Sequence, residues 1–204
     1  MLRILGRRNS VNVQKVLWSC EELAVPYRQE DYGGEFGRVR EPDYLALNPN
    51  GTVPTVVDGD TGLWESNAIV RYLYHRYGAA DALDAAARAR RERWMDWQLQ
   101  SLAAPIQAVF VGLWRTPPEQ RDPAAIERGV RTTNRLLRVV DGELARTPWL
   151  SGAQFDYGDI PVGAWMYRWL NMDIEREALP QLEAWYRRLC ARPAYARHIM
   201  VSLA

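Results

Sequence analysis

Most of the residues able to do chemistry lie in three short segments of the chain's first half. Arg8-Asn9-Ser10-Val11-Asn12 offers a hydroxyl and a carboxamide beside a turn. Asn48-Pro49-Asn50-Gly51-Thr52-Val53-Pro54-Thr55 offers a turn that runs into a proline, and Trp64-Glu65-Ser66-Asn67-Ala68-Ile69 sets a carboxylate and a hydroxyl ahead of an apolar run. Alone, each has a local explanation: Ser10 as a helix N-cap, Asn-Pro-Asn-Gly as a turn, Glu65-Ser66 as a helix start. What they can offer a ligand is hydrogen bonding by hydroxyl, amide and exposed main chain. Thiol and metal chemistry are poorly supplied. The two cysteines, Cys20 and Cys190, form no CxxC pair, and the two histidines, His75 and His198, are too isolated for a zinc site. Cys20 falls on an apolar stripe inside a helix, away from the N-terminus where a thiolate is stabilised, and reads as core.

The elements that position these segments can be read from periodicity. Leu2–Leu5 followed by Gly6 reads as a buried strand. Val13, Val16, Leu17, Cys20 and Leu23 have the spacing of one helix face, with Ser10 or Asn12 at its start and Pro26 at its stop. A second strand is expected near Tyr27–Tyr32, and the polar, Gly-containing stretch to Arg40 has no clear assignment. Thr55-Val56-Val57, the turn Asp58-Gly59-Asp60, and Leu63-Trp64 read as a hairpin. A helix is expected over Ser66–Tyr77, ended by Gly78. A strand–helix–strand unit implies a parallel pair and the Asp-Gly turn an antiparallel one, so a mixed four-stranded sheet follows. Ala79–Ala87 reads as a linker. Beyond it the periods are helical: Trp94, Trp97, Leu102 and Ile106 on to Trp114, then Ile126, Val130, Leu136, Leu137 and Val140 on to Leu144. Asp156 is expected as an N-cap with Asp159 answering it and Phe155 and Ile160 stapling across the turn. A last helix, Leu182–Ala191, is expected to end at Arg192-Pro193. The domains expected are residues 1–79, mixed α and β, and residues 86–204, all α.

Composition narrows the function classes. Lys and Arg total 26 against 25 Asp and Glu among 204 residues, a balance that draws neither nucleic acid nor an anionic membrane. Arg7-Arg8 invites a twin-arginine signal, but Lys15, Glu21 and Glu22 interrupt the stretch where its apolar core would lie. No run of about eighteen apolar residues is present, so no membrane helix is expected. Few cysteines suit a reducing compartment, and a cytoplasmic location is expected.

In this order and on this β-α-β-β-β-α layout, the three segments resemble the cytosolic glutathione transferase family, whose N-terminal domain runs β-α-β-α-β-β-α. The likeness covers essentially the whole chain, including the Phe155–Ile160 capping motif, and among classes it is nearest the bacterial, theta-like ones with a serine in the first loop. The resemblance implies a thioredoxin-like N-terminal domain that binds glutathione, an all-helical C-terminal domain that supplies an electrophile pocket, and a homodimer. It implies glutathione as co-substrate, no metal, and an apolar electrophile as second substrate. Val53-Pro54 matches the family's cis-proline corner, where the Val53 backbone pairs with the cysteinyl part of glutathione. Ser66 would bind the γ-glutamyl carboxylate and Glu65 the ammonium, at a helix start that favours an anion. Ser10 would donate a hydrogen bond to the glutathione sulfur, with Asn12 as rival or partner.

The energetics suffice. Lowering a thiol pKa of about 8.5 by about two units takes roughly 2.7 kcal/mol. A hydrogen bond to a charged group supplies about 1.5–3 kcal/mol and a helix N-terminus up to about 1 more. Thr52 stands where the family often carries a basic residue for the glycine carboxylate, and Arg38 or Arg40 is the substitute. Arg8, Phe110 and Trp114, with Arg7 and Arg115, are candidates for the electrophile pocket, although Trp114 also reads as interdomain core and Arg7 and Arg8 as solvated charge. Conjugation is the expected reaction, with glutathione-dependent dehalogenation, peroxide reduction or disulfide reduction as variants on the same site. The alternative is a catalytically silent, glutathione-transferase-like ligand-binding or regulatory protein. A thioredoxin-type oxidoreductase is excluded because no CxxC follows the first strand.

Overall fold

The structure, a computed structural model, describes residues 1–201. The chain divides into two compact units, one holding Met1–Asp84 with the C-terminal helix and the other beginning at Ala85 and running to Arg192.

In the first unit, β1 (Leu2–Leu5), α1 (Val11–Glu22) and β2 (Tyr27–Glu30) form the strand–helix–strand unit, and α2 (Pro42–Leu47) follows. Next come β3 (Thr55–Asp58), β4 (Thr61–Trp64) and α3 (Ser66–Tyr77). The four-stranded sheet has the order β2-β1-β3-β4, with β1 and β2 parallel and the β1–β3 and β3–β4 pairs antiparallel. This is the mixed sheet of a thioredoxin-like domain, as the strand–helix–strand unit and the Asp-Gly turn require. Strand alternation sends Leu2, Ile4 and Val56 to one face, where they bury against Val13, Val16, Leu17 and Cys20 of α1 and Ile69 and Leu73 of α3. Leu5 faces the other way and joins Tyr32 and Tyr44. α2 lies beyond the unassigned stretch that ends at Arg40, in residues given no element by the sequence reading, and its Pro42 sits in its first turn, where a missing amide costs nothing. Tyr72 Oη donates to Asp58 Oδ2 at 2.8 Å, fastening α3 to the β3–β4 turn.

The expected last helix, α8 (Pro180–Cys190), ends close to where the sequence reading stops it, but Pro193 does not end the helical chain. It opens a further helix, α9 (Pro193–His198), because proline suits a first helical position. That helix packs on α1: the Tyr195 and Trp18 rings meet edge to face with centroids 5.0 Å apart, and His198 Nε2 lies 3.0 Å from Glu21 Oε2. Positions 202–204 of the expected helical domain lie outside the described residues.

The second unit is helical among its described residues apart from one isolated bridge, Trp149 to Gly152. The run from Trp94 to Trp114 is not one regular helix. α4 (Ala85–Trp97) passes through a π turn at Gln98–Leu102 into α5 (Ala103–Trp114). Pro105 accounts for the wide turn: in a regular α-helix its ring would press on the carbonyl four residues back, that of Ser101. α6 (Pro123–Leu144) is capped by Asp122, which accepts from the Ala125 amide at 2.9 Å.

Asp156 is not the N-cap of α7 (Ile160–Asn171); Asp159 holds that position. Its carboxylate is fully buried and reaches well beyond a capping pair. Oδ1 accepts from the Leu150 amide (2.8 Å) and Trp185 Nε1 (2.9 Å), and Oδ2 from the amides of Ser151 (3.2 Å) and Asp156 (3.3 Å). The expected reach back to the Asp156 amide is therefore present. Phe155 packs on the Trp149 ring at 5.5 Å, beneath the Arg192 guanidinium.

Burial pushes the Asp159 carboxyl up to about 6 against the pull of its donors. A carboxyl whose pKa is raised on folding takes up a proton between its unfolded and folded values, so the stability it contributes is greatest in acid and falls as pH rises to about 6. The stability difference between wild type and Asp159→Asn should therefore fall between about pH 4 and pH 6, by up to about 1.4 kcal/mol per pH unit, and level off above. Urea denaturation of both proteins across that range checks the slope.

Candidate functional site

The three segments singled out in the sequence meet at one end of the first unit's sheet. Gly6 ends β1 and lets the chain turn sharply into α1: a Cβ there would lie 2.5 Å from Val13 Cγ2 and 3.2 Å from Val53 Cβ. The end of β1 thereby lies close against Val53, and the Val53–Pro54 peptide is cis. The corner is held from below. Tyr44 Oη and Asn48 Nδ2 both donate to the Thr52 carbonyl, at 2.7 and 2.9 Å, and both meet Thr55 Oγ1, at 2.9 and 3.0 Å. Among the described residues none hydrogen-bonds to the Val53 main chain, so its amide and carbonyl stay open.

Ser10 stands at the N-cap of α1 with an extended backbone (φ −81, ψ 123), as its type predicts. Its hydroxyl does not cap, however; no side-chain capping bond is made. The hydroxyl thus sits at the positive end of a twelve-residue helix without being used by it. Asn12, the second residue of α1 and exposed, is committed elsewhere: its Oδ1 accepts from Ser66 Oγ at 3.2 Å.

Glu65 and Ser66 open α3 directly after Trp64 ends β4. A strand-to-helix change across one residue forces that residue into an unusual backbone, and Glu65 has φ +70, ψ 109. Its carboxylate is solvent-exposed beside the helix start, while Ser66 and Asn67 are buried, at 7% and 4% exposure. Beneath them lies Lys15, which the sequence reading uses only as a charge that interrupts an apolar stretch and not as a site residue. It is 1% exposed, and its Nζ donates to Asn67 Oδ1 (3.2 Å) and Ser66 Oγ (3.4 Å). Burial pushes the Lys15 ammonium down to about 7, with the Glu65 carboxylate pulling partly the other way. The signal that could have found Lys15 is its place among Val13, Val16 and Leu17, where a solvated cation does not belong.

The two arginines proposed near the Thr52 turn are differently placed. Arg38 lies over the Tyr32 ring at 4.1 Å and donates to Tyr32 Oη at 2.7 Å, beside Glu41. Arg40 reaches the turn itself, with Nη1 2.7 Å from where a Gly51 Cβ would stand. Arg8 is turned onto β2, donating to Gln29 Oε1 at 3.1 Å. In the second unit Phe110 is buried with the Arg168 guanidinium 4.7 Å from its ring centre, whereas Trp114 at the end of α5 is 45% exposed. Cys20 is fully buried, and burial, aided by the Asp58 charge, pushes its thiol up to about 12. Among the described residues no cluster of His, Cys, Asp and Glu could hold a metal, and no helix is long and apolar enough to cross a membrane.

A thioredoxin-like unit with an open proline corner and two helix starts converging on it, followed by a helical unit, defines a class that known proteins share. Residues 1–75 match the model of the glutathione S-transferase N-terminal domain, and residues 103–193 that of the C-terminal domain. The chain belongs to the glutathione S-transferase family. It is 43% identical to glutathione S-transferase GstB of Escherichia coli over the full length of both. It is similar to a theta-class glutathione S-transferase from Xanthomonas axonopodis pv. citri, solved with glutathione bound, at 49% identity and TM-score 0.95, covering 100% of this chain and 99% of that one. The disulfide-bond oxidoreductase YfcG of Escherichia coli is 30% identical, over 93% of this chain and 90% of its own.

A thiol with the burial of Cys20 should not react in the folded protein. Titration with an aromatic disulfide reagent should leave Cys20 unmodified until denaturant is added, and Cys20→Ala should keep full activity.

Proposed function

We propose that this protein is a theta-like glutathione transferase in which Ser10 stabilises the glutathione thiolate for attack on an apolar electrophile. The observation that carries the reading is the Ser10 hydroxyl, placed at the start of α1 and left unused by the helix. Glutathione lies along Val53, its cysteinyl amide and carbonyl pairing with the open main chain there. Its γ-glutamyl carboxylate meets Ser66 at the start of α3, and its ammonium meets Glu65. Arg40, rather than Arg38, takes the glycine carboxylate beside Thr52, because Arg38 is occupied by Tyr32 and Glu41. Asn12 is drawn to Ser66, which favours Ser10 for the sulfur.

With an aryl halide, the thiol proton leaves to solvent, the thiolate forms a carbon–sulfur bond, and halide departs with the electrons of the broken carbon–halogen bond. Phe110 and Trp114 are proposed for the electrophile pocket, and Arg8, held by Gln29, is a weaker member. The protein acts as a cytoplasmic homodimer and needs no metal. The likeness to YfcG supports a second activity, glutathione-dependent disulfide reduction at the same site.

The test follows thiolate absorbance and aryl-halide conjugation in wild type, Ser10→Ala and Asn12→Ala. Losing one charge-assisted hydrogen bond, about 1.5–3 kcal/mol, should cut turnover by Ser10→Ala about ten- to hundredfold and raise the bound thiol's pKa, with glutathione still bound. If Asn12→Ala alone abolishes thiolate and turnover, the catalytic role moves to Asn12. If wild type neither binds glutathione nor turns over, the protein is a silent relative that acts by binding. Arg40→Ala should raise KM for glutathione several-fold and leave KM for γ-glutamylcysteine, which lacks the glycine, unchanged.

A further inference from the structure

Lys15 is an expensive residue for its place. A core position on α1, among Val13, Val16 and Leu17, would be more stable with an apolar side chain of similar length, since a buried cation gives up its hydration. Its position relative to α3 is also unfavourable by itself. The first turn of a helix is its positive end, and a cation below it adds like charge to like. Both costs are offset if an anion arrives at that helix start from the solvent side. The geometry couples Lys15 to such an anion through a relay. Nζ donates to Ser66 Oγ and Asn67 Oδ1, the first two side chains of α3, and Ser66 Oγ donates onward to Asn12 Oδ1. Ser66 and Asn67 are thus fixed from the core side, leaving the amides of the α3 first turn to face a ligand.

We infer that Lys15 is a positioning residue for the γ-glutamyl end of glutathione: it holds Ser66 and Asn67 at the start of α3 and supplies, from beneath, positive charge for the ligand's α-carboxylate. The inference rests on the reading that this carboxylate binds at Ser66. Lys15 does not touch the ligand. It acts through the two residues it holds, and its effect is confined to one charged group of the tripeptide.

That confinement is what the experiment reads. Two ligands are compared at pH 6.5 in wild type, Lys15→Met, Lys15→Arg and Ser66→Ala. One is glutathione, and the other is 4-aminobutanoyl-cysteinylglycine, which lacks only the γ-glutamyl α-carboxylate. Lys15→Met should raise KM for glutathione about tenfold while kcat at saturation stays within about twofold. The decarboxylated ligand should bind Lys15→Met and wild type alike, and Lys15→Arg should recover most of the lost glutathione affinity. The Tm of Lys15→Met should equal or exceed that of wild type, and Lys15→Gln serves if the methionine variant misfolds. An equal loss of affinity for both ligands, or no loss for either, overturns the inference. If Ser66→Ala separates the two ligands and Lys15→Met does not, Lys15 alone is wrong. If neither variant separates them, the placement of the carboxylate at α3 fails as well.

Discussion

The first unit depends on two helices having to begin at the same place. α1 and α3 leave different strands, yet their first turns are joined by a hydrogen bond from Ser66 to Asn12, with Lys15 buried below and bonded to Ser66 and Asn67. Several local features follow from that requirement. Gly6 has no side chain because α1 must close onto β1 within a few residues. Glu65 takes a left-handed backbone because α3 must start one residue after β4. The Val53-Pro54 corner fills the remaining side, braced by Tyr44 and Asn48 so that its main chain can stay unpaired. Two positive helix ends brought together repel unless something negative lies nearby. The exposed Glu65 carboxylate answers part of that charge.

The second unit solves a different problem with one group. A chain turning from the Trp149–Gly152 bridge into α7 leaves several amides inside the protein, where each must find an acceptor. Asp159 takes three of them and the Trp185 indole as well. The burial of a charge there is unfavourable, and the bonds it accepts are the reason it is tolerated.

Much of this was legible in the residues. The apolar run Leu2–Leu5, the β-branched run Thr55-Val56-Val57, the Asp-Gly turn and the stripe from Val13 to Leu23 specify the sheet and its helices, because composition, period and turn chemistry act locally. The missed features are those where long-range contact overrides local habit. Lys15 reads only as a charge that interrupts an apolar stretch until its bonds to Ser66 and Asn67 of α3 are seen. Pro193 reads as a stop, yet Trp18 and Glu21, far away in sequence, give the helix it opens something to pack on. Six residues are too few for a period to reveal α2. The capping motif at Phe155–Ile160 shows in the sequence, but Asp156 reads as the N-cap that Asp159 provides, because the tertiary donors to Asp159 are invisible in a local pattern. The Trp94–Trp114 run hid its π turn because Pro105 breaks the backbone without breaking the apolar spacing.

The docking of α9 on α1 makes the first unit discontinuous along the chain. As the protein emerges from the ribosome, its sheet and first three helices are complete long before Tyr195 exists to cover Trp18. The first segment made is therefore among the last to be finished. The helical unit, contiguous from Ala85 to Arg192, has all of its described partners available earlier. A ribosome-bound intermediate would then carry a folded helical unit beside a sheet unit with one aromatic face still wet.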